Sequence, residues 1–168
     1  MNIYGYCRIS TAKQSIDRQI RNIKVEYPTA HIVQEAYTGT SIFRPEWLKL
    51  YRVLKSGDMV VFDSVSRMSR NAEEGFTLYE DLYHKGIRLV FLKEHHIDTE
   101  TYKKALSGSI AMTGTNVDFI LKGINEYLMA LAKEQIKLAF EQSEKEVADL
   151  HQRTREGLVT AKLNGKQI

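Results

Sequence analysis

Residues 4–19, YGYCRISTAKQSIDRQ, pass from one kind of order to another. Ile3, Tyr4 and Tyr6 begin a short apolar strand, which the polar turn Arg8-Ile9-Ser10-Thr11 breaks. From about Gln14 helical periodicity takes over, with Ile16, Ile20 and Ile23 on one face. A strand that ends in a polar turn and opens a helix presents side chains and backbone N–H groups at the carboxyl edge of a sheet, where open α/β proteins bind ligands. That edge carries a cation, Arg8, and a hydroxyl, Ser10, two residues apart and so on one face of an extended chain. A hydroxyl beside a fixed guanidinium at a helix start suits attack on a phosphate. The cation and the N–H groups stabilise anionic charge, and the oxygen is the nucleophile.

The pattern repeats outward from this stretch. Strands are expected over 2–8, 31–37, 59–63 and 87–92, and helices over 13–26, 45–55 and 72–86. Pro45 suits a first helical position, and Asn71 or Ser69 suits a cap for the helix that Gly86 ends. The continuous apolar run of residues 59–63, MVVFD, points to a strand buried on both faces and hence to a largely parallel sheet. Residues 64–70, SVSRMSR, read as a polar loop. Beyond Thr99 no further strand is evident. A short helix is expected over 100–107 and a loop over 107–116. Helical periodicity starts at about Val117 with Ile120, Ile124, Tyr127, Leu128 and Leu131, and a second, charge-rich helical run covers roughly 141–164. Such a polar helix buries little of itself and is expected to lie on a partner or on DNA. The expected architecture is an α/β core over 1–140, three-layered with a mostly parallel central sheet, followed by a helical arm over 141–168.

Composition excludes more than it selects. A chain of 168 residues, 43% hydrophobic and 27% charged, can build a core, so disorder is not expected. A net charge of +3 is compatible with nucleic acid without arguing for it. No signal peptide and no membrane-spanning run are read, and the single Cys7 cannot form an internal disulfide, which fits a reducing cytoplasm. Alternation turns Cys7 away from Arg8, so it reads as a small buried hydrophobe. His95 and His96 lack Cys, Asp or Glu at ligand spacing, so no metal is expected. Without GxxxxGK[ST] or GxGxxG there is no support for a nucleotide or dinucleotide cofactor.

Four motifs in order then resemble the serine site-specific recombinases, the family of resolvases and invertases. Tyr6-x-Arg8-x-Ser10-Thr11, with Gln14 and Gln19, resembles the start of their catalytic domain. Thr38-Gly39 with Arg44 resembles the family's Ser-Gly…Arg loop. Ser66-Arg67-Met68-Ser69-Arg70 resembles its Asp-Arg-Leu-Ser/Gly-Arg motif, and Arg153-Thr154-x-Glu156-Gly157 its long-helix motif. The resemblance implies a resolvase-like fold and transesterification without cofactor or metal. The Ser10 oxygen attacks a DNA phosphodiester and forms a phosphoserine link to one end. The other end is freed as a hydroxyl, and reversal on a different end rejoins the strands. It also implies double-stranded DNA as substrate, a homodimer that pairs into a tetramer, and residues 117–164 as the oligomer surface. A Gly-Lys tail leads, in the family, into a separate DNA-binding domain, which is not expected within this chain.

Each assignment has a plainer counterpart. Ser10 alone would be an N-cap. By resemblance Arg8, Arg44, Arg67 and Arg70 clamp the phosphate, and guanidinium forks stabilise a pentavalent transition state without a metal. Arg67 and Arg70, three apart, share a face if a helix begins there. On their own they would be a solvated pair, Arg44 a helix-start arginine, and Arg153 a solvated helix residue. Tyr6 is expected to pack with its hydroxyl near the site. Gln14, Gln19 and Thr38 are supporting residues by resemblance, and the two glutamines read as surface helix residues on sequence alone. Ser66 stands where the family has aspartate, Glu35 where it has an aspartate near the end of strand two, and Val147 where it has an arginine. These departures leave an alternative, a catalytically weakened relative that acts in DNA synapsis or regulation.

Overall fold

The computed structural model describes residues 1–9, 16–36, 44–108 and 110–165, and of residue 147 the backbone alone. Four strands, β1 (Ile3–Arg8), β2 (His31–Glu35), β3 (Met59–Phe62) and β4 (Arg88–Phe91), form one sheet in the order β2-β1-β3-β4. Every neighbouring pair is parallel, with Tyr6 opposite both Val33 and Phe62. Between the strands run α1 (Asp17–Glu26), α2 (Pro45–Val53), α3 (Val65–Met68) and α4 (Ala72–His84); a 3-10 turn, α5 (Thr99–Ser107) and α6 (Asp118–Leu163) follow.

Side-chain alternation on the strands makes the three expected layers. Cys7, Met59, Val61 and Val90 point to one face, where Ile23 of α1 covers them. Tyr6, Val60, Phe62, Leu89 and Phe91 point to the other, under Trp47 of α2, Tyr79 and Leu82 of α4, Tyr102 of α5 and Phe140 of α6. All four residues of β3 are buried, as the apolar run requires. The second face is aromatic: Tyr6 meets Trp47 edge-on at 5.1 Å, and Phe62 stacks on Phe91 at 5.3 Å. Cys7 is fully buried, and burial pushes its thiol up to about 12.

Two local expectations change. The 64–70 segment is not all loop, since Val65–Met68 form the short helix α3. The two helical runs expected after Val117 are one 46-residue helix, α6, about 70 Å long. The change at residue 141 is in charge, not in backbone: both prolines lie far upstream at 28 and 45, so no residue interrupts the hydrogen-bond ladder by lacking an N–H. Among the described side chains Phe140 is the last buried one of α6, and those described beyond it are exposed or partly exposed.

Candidate active site

Because β1 and β3 are parallel neighbours, their carboxyl ends lie side by side. The segment that leaves β3, residues 63–71, therefore runs past the last residue of β1, Arg8. Arg8 donates from Nη2 to the carbonyl of Ser66 at 2.6 Å, and Arg67 donates from Nη1 to the carbonyl of Arg8 at 3.2 Å. Arg44, at the start of α2, donates to the carbonyl of Met68. Three guanidinium groups are thus aimed by neutral main-chain oxygens of two crossing segments. Arg70 completes the group: its charge and those of Arg44 and Arg67 act on Arg8.

No carboxylate lies within ion-pair distance of Arg8, Arg44, Arg67 or Arg70 among the described residues. Residues 10–15 and 37–43, outside the described residues, contain no Asp or Glu. The Nε atoms of Arg8 and Arg67 are buried without a hydrogen-bond partner among the described residues. Burial, and then the charges of Arg44 and Arg70, push the Arg8 guanidinium down to about 10. Burial also lowers Arg67 and Arg70; Asp63 opposes the shift at Arg67, and Arg44 adds to it at Arg70. Four like charges are thus held together at a half-buried sheet edge with no carboxylate at ion-pair distance among the described residues, an arrangement that costs free energy.

The surrounding polar groups fix this arrangement. Gln19 is 4% exposed, and both ends of its amide bind the Arg8 main chain: Oε1 accepts from Arg8 N at 3.1 Å and Nε2 donates to Arg8 O at 2.8 Å. It is therefore not the surface residue that helical periodicity suggests. Tyr6 is fully buried and donates to Glu35 Oε2 at 3.1 Å. Burial and the Glu35 charge hold its hydroxyl far above the usual phenol range. Glu35, also buried, accepts from Trp47 N at 2.9 Å, so it caps the helix that begins beside Arg44. The available signal for this cap was an acidic residue closing an apolar strand ahead of a Pro-initiated helix. Asp63 is occupied by Asn22 Nδ2 at 2.9 Å and Lys93 Nζ at 3.3 Å.

Arg67 and Arg70 do not share a helical turn. Ser69 between them is extended (φ −153°, ψ 152°) because α3 ends at Met68. They meet at the site because α3 and α4 join at a corner. Arg153 is exposed on α6, 13 residues or about 20 Å along the axis beyond Phe140, with no contact to the arginine group among the described residues. Ser10, Gln14 and Thr38 lie outside the described residues. Among those described, no group of three or more His, Cys, Asp or Glu could hold a metal ion, and no helix is long and apolar enough to cross a membrane.

Residues 3–137 match the profile of the family described as "Resolvase, N terminal domain". The chain belongs to that family. Its curated relatives include a resolvase of Clostridium perfringens, 28% identical over 98% of this chain and 74% of the relative. They also include the transposon Tn21 resolvase of Escherichia coli, 27% identical over 95% of this chain and 87% of that protein. Among solved structures, the N-terminal catalytic domain of TP901-1 integrase is 24% identical with a TM-score of 0.48, covering 78% of this chain and 98% of that one. A resolvase family site-specific recombinase from Streptococcus pneumoniae is 19% identical with the same TM-score, 0.48, covering 96% and 98%. The arginine group sits at the carboxyl edge of the sheet of this resolvase domain.

Proposed function

We propose that this domain cuts and rejoins double-stranded DNA by phosphoryl transfer to Ser10. One observation carries the proposal: at the carboxyl edge of β1 and β3 carbonyl oxygens aim Arg8, Arg44 and Arg67, the charge of Arg70 acts on Arg8 beside them, and no carboxylate lies within ion-pair distance of the four among the described residues. Such a group suits a phosphate whose charge grows as an entering oxygen adds. In the step, a bond forms between Ser10 Oγ and phosphorus, and the bond from phosphorus to one deoxyribose oxygen breaks. The serine proton leaves and the departing oxygen gains one, so neither water nor an external energy source is consumed. Reversal with a different DNA end restores the diester. Arg8, Arg44, Arg67 and Arg70 serve as the clamp. Gln19 and Tyr6 fix Arg8 and the start of α2, Gln14 and Thr38 are assigned supporting places, and Arg153 is assigned to DNA or a partner. The exposed apolar residues of α6, among them Phe119, Ile120 and Tyr127, support a homodimer that pairs into a tetramer on DNA. The reduced Cys7 suits the cytoplasm.

Ser66 in place of an aspartate favours a second function, a synaptic or regulatory relative that binds DNA without cutting it. Full-length protein and Ser10→Ala, incubated with labelled DNA flanking the gene and then denatured, separate the two. A protein–DNA adduct that requires Ser10 is the expected result. Clear DNA binding without an adduct would establish the regulatory function instead.

A further inference from the structure

Segment 65–72, which carries Arg67 and Arg70, is held at both ends by carboxylates from distant parts of the chain. Glu94, after β4, accepts from Val65 N at 3.1 Å, at the start of α3. Glu144, on α6, accepts from Ala72 N at 3.0 Å, at the start of α4. A carboxylate at a helix start satisfies an otherwise unpaired N–H and favours the positive end of the helix dipole.

The α6 contact has a second part. Phe140 and Glu144 are four residues apart and so lie on one face of α6. Phe140 seats on Gly75: a Cβ added there would stand 2.5 Å from its ring and 3.1 Å from Ser69 Cβ. One face of α6 thus grips the first turn of α4, where Ser69, Gly75 and Phe140 meet. Ser69 Oγ accepts from Asn71 N at 3.2 Å and donates to Asn71 O at 2.9 Å. Arg70 lies between these two tied residues, so its origin follows the start of α4.

We propose that Glu144 is a positioning residue, which through Ala72 N–H makes the placement of Arg70 and Arg67 depend on the seating of α6. The same helix continues past Phe140 as the exposed arm, so a force on the arm reaches the arginines through this contact. The proposal rests on the phosphoryl-transfer function above.

The test uses full-length protein with Glu144→Ala, Glu144→Gln and, as a control on the same helix, Glu141→Ala, whose parent residue is exposed as Glu144 is but makes no hydrogen bond to the start of α4 among the described residues. Two readouts are taken. The first is the rate of protein–DNA adduct formation together with DNA affinity. A charge-assisted hydrogen bond of ordinary strength gives a loss of about tenfold in rate for Glu144→Ala. DNA affinity should hold within about twofold, Glu144→Gln should fall between because its amide oxygen still accepts, and Glu141→Ala should match the parent. The second readout is backbone hydrogen exchange, which needs no activity. Exchange over 65–72 should quicken about tenfold in Glu144→Ala while 59–62 and 88–91 keep their protection. Wild-type cutting by Glu144→Ala overturns the proposal, as does unchanged protection over 65–72. Uniform loss of protection across the sheet would make Glu144 a general stabiliser and also overturn it. If the parent protein forms no adduct, the phosphoryl-transfer function fails by itself, and exchange still decides whether α6 fixes the arginine segment.

Discussion

The two ends of the one sheet treat charge in opposite ways. At the amino end buried Asp58 has two main-chain donors, Asn2 N at 2.8 Å and Lys55 N at 2.9 Å. Arg88 has a carboxylate at ion-pair distance, its Nε lying 3.4 Å from Glu100 Oε1. At the carboxyl end burial, and then Arg44 and Arg70, lower the guanidinium of Arg8, and burial and Arg44 lower that of Arg70. Arg8, Arg44 and Arg67 donate to main-chain carbonyl oxygens, with no carboxylate at ion-pair distance among the described residues. The amino end is closed and serves stability. The carboxyl end keeps an uncompensated field, which folding alone would not select, because like charges at a half-buried site cost free energy. A bound anion would offset that cost, which is why the proposed function puts binding and chemistry at the open end.

The largest expected effect breaks this comparison at its open end. Arg8→Ala should slow adduct formation by about 10²–10³, the usual loss when a preorganised donor to a developing oxyanion is removed. Its stability should change by less than ~1 kcal/mol, because the lost Ser66 contact is offset by relief of repulsion. Parallel adduct assays and urea unfolding measure both. A variant that is strongly destabilised would mean that the carboxyl end is structural like the amino end.

Next in size is the response to an added anion. Inorganic phosphate at a hundred times its dissociation constant should stabilise the parent by about 2.7 kcal/mol through binding to the folded state alone. Phosphate also stabilises proteins by exclusion from their surface, so the comparison is with Arg67→Ala in the same buffer and with chloride at equal ionic strength. A gain confined to the parent sharpens the contrast between the ends. An equal gain in Arg67→Ala would show that the arginines hold no anion.

At the closed end, Asp58→Asn should cost about 1–2 kcal/mol, since a charged acceptor of two N–H groups becomes a neutral one. DNA cutting should be unchanged. The two N–H groups hold the Asp58 carboxyl below its ordinary value, so its folded pKa is lower than its unfolded one. Its contribution is therefore fully present above about pH 4 and is lost as the pH falls through the folded value. The stability gap between parent and variant, followed by denaturant midpoint, should close as pH drops below about 4 and stay constant above it.

The difference between the ends also marks what the sequence made legible. Sheet and layers were readable because burial imposes a period: MVVF has no polar position to spare, and Ile16, Ile20 and Ile23 mark a face. The arginines were readable as a set only through the resemblance, since spacing alone suggested that Arg67 and Arg70 share a helical turn. A helix of four residues carries no periodicity, so α3 and the extended Ser69 could not be seen. Gln19 hides for a related reason. Its place on α1 suggests solvent, while its amide spans the backbone of Arg8. Glu94 and Glu144 reach their N–H partners across 29 and 72 residues, and no local pattern records such a contact. The continuity of α6 was masked by composition, because a change from apolar to charged residues resembles a boundary although it leaves the backbone bonds intact.

The smallest expected effect lies at Ser66, where the family pattern has a carboxylate. The structure uses this residue at the open end through its main chain: Arg8 donates to the Ser66 carbonyl, which every residue type supplies. The side chain makes a separate contact, with Ser64 Oγ at 2.7 Å. Ser66→Ala therefore removes one hydroxyl pair at a half-buried position and leaves the aim of Arg8 unchanged. The expected cost is about 0.5–1 kcal/mol in urea unfolding, with adduct formation within about threefold of the parent. A loss near that of Arg8→Ala would mean that the serine hydroxyl itself acts at the site, in the place of the missing carboxylate. Ser66→Asp then tests the converse. A carboxylate here would meet four guanidinium groups that now lack one, and would compete with phosphate for them. Tighter folding with weaker phosphate stabilisation is the expected pair of results, and would show the open end of the sheet converted toward the closed one.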